Sequence, residues 1–81
     1  MEIDKIKIAR LNSKNMISFE VAVDKAMDFL RKSGYPFARL IDARHYRNNW
    51  IVTVDVGIAF KDIRKVRING RNGRIIGFER G

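Results

Sequence analysis

The sequence predicts an α+β fold, with one long helix packed on an antiparallel sheet of about four strands in meander order. Three observations carry that prediction. Residues Trp50 to Phe60, WIVTVDVGIAF, alternate with period two, which marks a sheet strand. Residues Phe19 to Ser33 repeat apolar side chains at three- and four-residue steps, which marks a helix with one apolar stripe. Two turn signals, Arg47-Asn48-Asn49 and Gly70-Arg71-Asn72-Gly73, then divide the second half of the chain.

The elements follow in order. Glu2 to Arg10 reads as a short edge strand, with Ile6 and Ile8 on one face and Lys5 and Lys7 on the other. The polar cluster Leu11-Asn12-Ser13-Lys14-Asn15 equally allows a loose basic arm over residues 1–15. Ser18 is suited to cap the helix, because its hydroxyl can accept from a first-turn N–H. Phe19, Ala22, Val23, Ala26, Met27 and Leu30 form the apolar stripe. Glu20 near the start and Arg31 and Lys32 near the end suit the helix dipole. Gly34 is the expected left-handed stop, and Pro36 prevents continuation.

Phe37 to Tyr46 reads as the next strand, with its inward face left open by adjacent Leu40 and Ile41. It joins Trp50–Phe60 in a hairpin through Arg47-Asn48-Asn49, where Asn tolerates the left-handed backbone. Trp50, Val52, Val54, Val56 and Ile58 share the face predicted to be buried. Ile63 to Asn69 is a strand with Val66 and Ile68 inward and Lys65 and Arg67 outward. Arg74 to Glu79 closes the meander, with Ile76 and Phe78 the preferred inward pair.

With 81 residues, the chain is read as a single domain, 1–81, whose small core makes a homodimer a standing possibility. Hydrophobic residues make up 46%, too many for a disordered tail. There is no Cys, which excludes disulfides, thiolate metal sites and Cys nucleophiles. The N-terminus shows no apolar leader and no apolar run is long enough to span a bilayer, so a cytoplasmic location is expected. The lack of Cys and Gln beside abundant Ile, Arg and Lys matches a thermophile's composition. The formal charge is +8. From Arg39 onward ten Lys/Arg face four Asp/Glu, a net of +6, whereas the first 38 residues carry +2. That asymmetry suits an anionic partner, or serves solubility alone.

The arrangement from Ile17 to Glu79, about three quarters of the chain, resembles the PepSY-like group of domains. Its helix pattern is matched by Ser18, Ala22 and Ala26, followed by Gly34. Its aromatic-led strand is matched by Trp50-x-Val52-x-Val54, and its closing hairpin by Val66-x-Ile68-Asn69-x-x-Asn72-Gly73-x-Ile75. Trp50, Val52, Val54, the Asn-Gly turn and Arg80 also look like gas-vesicle accessory proteins of similar fold. The resemblance implies a non-catalytic module that binds or modulates a protein partner, and it carries over no catalytic residue. The chain departs from the PepSY-like group in its strongly basic charge.

Other constellations have plainer readings. His45 stands alone beside Arg44, Tyr46 and Arg47, which suits a surface strand end better than a metal site or a base. Asp42, Asp55 and Asp62 would form an acid/base pair if Asp42 met Asp55 across the hairpin. Neutralising Arg44, Arg64 or Arg67 is the commoner use of such carboxylates. The Gly70–Gly73 turn feeds a strand, whereas a phosphate-cradling loop feeds a helix. Catalytic, cofactor-binding and metal-binding residues are therefore not assigned, and neither an enzyme nor a cofactor is expected.

Two functions remain. The first is a non-enzymatic binding module that uses the sheet face away from the helix for protein contact or self-association. The alternative is a nucleic-acid-binding protein that meets phosphates through the basic sheet half. Its candidate contacts are Arg44, Arg47, Lys65, Arg67, Arg71 and Arg74, with Arg39 and Arg64 nearby and Tyr46, Trp50 and Phe60 interleaved.

Overall fold

The helix forms where its caps and stripe agree. The computed structural model describes residues 16–81, and the predicted edge strand or arm at Glu2–Arg10 lies outside them. Helix α1 spans Phe19–Lys32. The Val21 N–H donates to the Ser18 hydroxyl at 3.1 Å, as an N-cap requires. At the other end Gly34 takes φ 97°. The Tyr35 N–H donates to the Leu30 carbonyl at 2.8 Å and the Gly34 N–H to the Arg31 carbonyl at 3.3 Å. That pair of bonds is a Schellman cap.

Four strands follow: β1 Arg39–Tyr46, β2 Asn49–Asp55, β3 Ile63–Asn69 and β4 Ile75–Arg80. They pair antiparallel in the order β1-β2-β3-β4, so the predicted α+β meander is the observed fold. Ala22, Ala26 and Leu30 of α1 are fully buried against Val52, Val54, Val66 and Ile68 of the two central strands. The alanines let the helix lie close to the sheet. Each buried Val, Leu or Ile adds about 1.5–3 kcal/mol through apolar area removed from water. Trp50 is half-buried at the margin, and its indole N–H donates to the Ile17 carbonyl at 3.1 Å. At the opposite margin Phe78 meets Phe29 and Tyr35 edge to face, with ring centroids 5.4 and 5.8 Å apart.

Four expectations are corrected. The strand predicted over Trp50–Phe60 ends at Asp55, and Ile58 is 83% exposed rather than inward. The Asp55 carboxylate accepts from the Gly57 and Asp62 N–H groups, which folds the chain back and ends the strand. The preceding strand starts at Arg39, and Phe37 stands outside it. Within β1, Leu40 pairs with Val54 and Asp42 with Thr53, so Ile41 is the extra residue of a bulge. Ala43 is the β1 side chain that packs on the core, while Leu40 and Ile41 are both exposed. In β4 a second bulge, at Ile76, shifts the phase. Ile75 and Phe78 pack inward and Ile76 is 49% exposed, where Ile76 and Phe78 were expected. At the first hairpin the positive φ falls on Arg47, at 57°, and on neither Asn.

The two hairpin turns touch. The Gly70 N–H donates to the Asn48 carbonyl at 2.8 Å, and the Ile17 N–H donates to the Gly70 carbonyl at 2.6 Å. A Cβ at Gly70 would collide with the Asn48 carbonyl and the Met16 methyl, so the close approach requires glycine. The sheet thus has two unlike ends: paired turns beside the start of α1, and two longer loops beside its close.

Candidate functional site

The face of the sheet away from α1 is built in cross-strand rows. One row runs Arg44, Ile51, Arg67, Gly77, and the next runs Asp42, Thr53, Lys65, Glu79. Strand alternation puts these side chains opposite the buried valines. The described residues place no helix over them. Tyr46 closes the face beside the first turn, with the Arg47 guanidinium 5.3 Å from its ring centre. A shallow depression of about 510 Å³ is floored by Ile51 and Thr53 and walled by Asp42, Arg44, Tyr46 and Lys65.

The charges here are largely matched. Arg44 Nε donates to Asp42 Oδ2 at 2.8 Å, and Arg67 Nη2 lies 3.2 Å from Glu79 Oε2. Lys65 stands between Thr53 and Glu79 in its row. Of the six predicted basic contacts, Arg44, Lys65 and Arg67 share this face. Arg47 and Arg71 sit in the adjoining turns, and Arg74 follows the second turn. The Asn69 carboxamide shapes that turn by accepting from the Arg71 and Asn72 N–H groups at 2.8 and 3.3 Å. Among the described residues, Arg47, Lys65, Arg71 and Arg74 have no carboxylate within ion-pair distance.

Asp42 and Asp55 do not meet; Asp42 and Asp62 instead neutralise Arg44 and Arg64, the commoner use of such carboxylates. Asp42 faces Thr53, and Asp55 faces Arg39, whose Nη2 lies 3.0 Å from Asp55 Oδ2. The Asp62 and Gly57 N–H groups and the Arg39 guanidinium hold the Asp55 carboxyl down at about 2. Such a group stays ionised and acts as a loop clamp. The Arg64 guanidinium beside Asp62 lowers that carboxyl as well, with Nε to Oδ1 at 3.0 Å. His45 rests edge-on against Trp50 at 5.2 Å between ring centres, a packing role at a strand end. Among the described residues, no three His, Asp or Glu side chains converge as a metal site would require.

The opposite end of the sheet holds apolar side chains that sequence reading did not bring together, although it named Phe60 among the aromatics interleaved with the basic set. Phe37, Ile58 and Phe60 are 64%, 83% and 85% exposed on the two loops there. Ile58 was read as core because period two runs through it. The available signal was Gly57, a glycine inside a strand pattern, which marks a bend or a close backbone approach.

No protein-family model, curated protein or solved structure matches the chain. No helix among the described residues is long and apolar enough to cross a membrane.

Proposed function

We propose that the protein is a non-enzymatic binding module that docks a protein partner, or a second copy of itself, on the open sheet face. The observation that carries this reading is that the arginines of the face are paired with carboxylates, Lys65 being the cation of its rows left without one among the described residues. Arg44 with Asp42 and Arg67 with Glu79 flank an apolar and hydroxyl floor of Ile51 and Thr53, with Tyr46 at its side. Interfaces are built this way, with an aromatic or aliphatic anchor inside a polar rim. A phosphate-binding face would leave its cations unmatched. The PepSY-like order of elements supports the same reading.

Light scattering on the wild-type chain and on Ile51→Asp tests it. The reading expects a mass near twice 9.4 kDa that falls to the monomer in the variant, with the melting curve retained. If the wild type is monomeric, a photo-crosslinking side chain at position 51 replaces the mass readout. Capture of a discrete protein at position 51 but not at position 25 then supports the reading. Equal capture at both positions counts against it.

A second reading rests on a different observation. The touching turns bring Arg47 and Arg71 to one end of the sheet, and Arg47 lines a shallow depression there with Tyr46 and Lys65. A single-stranded nucleic acid could follow those cations and stack on Tyr46. Binding to labelled RNA or DNA that weakens steeply between two salt concentrations would favour this reading over protein docking.

A further inference from the structure

The loops at the far end of the sheet hold apolar side chains in water by means of a rigid scaffold. Residues 56–62 close on themselves through the Val56 N–H, which donates to the Asp62 carbonyl at 2.9 Å. Asp55 Oδ1 accepts from the Gly57 and Asp62 N–H groups, each at 3.0 Å, and Arg39 Nη2 donates to the Gly57 carbonyl at 3.0 Å. A Cβ at Gly57 would strike the Phe60 carbonyl, so the turn is as tight as the backbone allows. The tip of this clamp is Ile58-Ala59-Phe60, exposed throughout. Phe37 stands beside it on the neighbouring loop, across a cleft lined by Tyr35, Pro36, Val56 and Ile58. A loop that serves only as a connection gains nothing from presenting Ile and Phe in this way.

The surroundings of the tip are cationic. Arg31, Lys32, Arg39, Lys61, Arg64 and Arg80 lie at this end, against Asp28, Asp55 and Asp62. Arg31 and Lys32 pair with Asp28, Arg39 with Asp55 and Arg64 with Asp62, so among the described residues Lys61 and Arg80 are the cations of this end without a carboxylate partner, and six cations against three carboxylates leave it net positive. We infer that this tip is a docking site for an anionic lipid surface, with Ile58, Phe60 and Phe37 entering the headgroup layer and the basic rim meeting the lipid charge. Charge complementarity selects this occupant. A second copy would bring two cationic rims together, which repel. Exposed apolar side chains at a net positive end of the sheet, with Lys61 and Arg80 unmatched, fit the chemistry by which peripheral proteins hold anionic membranes. The inference concerns a surface separate from the open sheet face and stands independently of it.

The test is co-sedimentation of the full chain with phosphatidylglycerol vesicles and with phosphatidylcholine vesicles. The expected result is binding to the first and little to the second. Ile58→Ser with Phe60→Ser should weaken that binding about tenfold or more while the melting curve is retained, because both side chains are exposed. Phe60→Trp should keep binding and gain a blue-shifted emission that brominated lipid quenches. No binding of the wild type to phosphatidylglycerol would overturn the inference. So would unchanged binding of the double serine variant, or a Phe60→Trp emission that lipid does not alter. Loss of a dimer in the double serine variant would assign the tip to a second copy. Binding to soluble polyglutamate but not to vesicles would assign it to an acidic protein. Either result overturns the lipid assignment.

Discussion

The backbone N–H of Asp62 donates to the Asp55 carboxylate at 3.0 Å, across seven positions of the chain. This one contact ends the central strand and shapes the apolar tip. It also gives the fold a defined acid response. Asp55 is held at about 2 when folded, against an ordinary 3.8. Folding therefore favours the ionised form. The stabilisation is fully present above 3.8 and is lost as pH falls toward 2. Asp55→Asn keeps one acceptor oxygen for the two N–H groups but loses the charge toward Arg39. Thermal melts of both proteins at pH 5, 4, 3 and 2 should therefore draw together as pH falls. Parallel curves over that window would remove Asp55 as the source.

The same loop predicts a backbone cost. At Gly57 an added Cβ would lie 2.8 Å from the Phe60 carbonyl carbon and 3.0 Å from the Asp62 nitrogen, both main-chain atoms that cannot turn aside. Gly57→Ala should lower stability by about 1–3 kcal/mol, as other forced close contacts do. Gly34→Ala provides a contrast, since nothing lies within 4 Å of its added Cβ and only the left-handed φ of 97° opposes it. Its cost should be about 1 kcal/mol. Urea denaturation of the two variants checks the order. A Gly57→Ala protein as stable as wild type would mean that the clamp opens freely.

How much of this was legible in the sequence depends on the range of the forces involved. Helix α1 was legible because Ser18, the Ala22-Ala26-Leu30 stripe and Gly34 act on near neighbours in the chain. Strand β3 was legible because Val66 and Ile68 alternate cleanly with Lys65 and Arg67. The exit of β2 was not, because Val56-Gly57-Ile58 continues the alternation while Asp55 captures distant N–H groups. The phase of β4 failed at Ile76, because a bulge depends on the partner strand and leaves no local mark. Alternation alone put Lys65 and Arg67 on one face, whereas Arg44 joins them only through the register of β1 on β2, which the Ile41 bulge sets. Their neutralisation by Asp42 and Glu79 depends on packing and register, so the balance of that face appears only in three dimensions.

That balance makes the basic residues unequal. Arg67 is already engaged by Glu79, whereas Arg47 and Arg71 project from turns that hold no carboxylate. In a titration with single-stranded RNA, Arg47→Ala and Arg71→Ala should each weaken binding and reduce the salt slope by about 0.7. Arg67→Ala should do less, since its charge is partly spent on Glu79. Equal losses in all three would contradict the idea that the ion pair withholds Arg67. If none of the three changes the affinity, these arginines are no part of a nucleic-acid site.

Arg47 carries a second prediction, because its φ of 57° is unfavourable for a long side chain. Asn tolerates that backbone, since its short polar side chain can bond to the nearby main chain. Arg47→Asn should therefore raise stability by about 0.5–1 kcal/mol in chemical denaturation. It should also remove the cation that lies 5.3 Å from the Tyr46 ring centre. Backbone strain tends to persist where a side chain is needed for contact. The same variant should then bind its partner more weakly, whether that partner is a protein on the open face or a phosphate chain at the turns. A variant that is more stable and binds unchanged would show that the strain serves no contact. One that is no more stable would show that the turn accommodates arginine without strain.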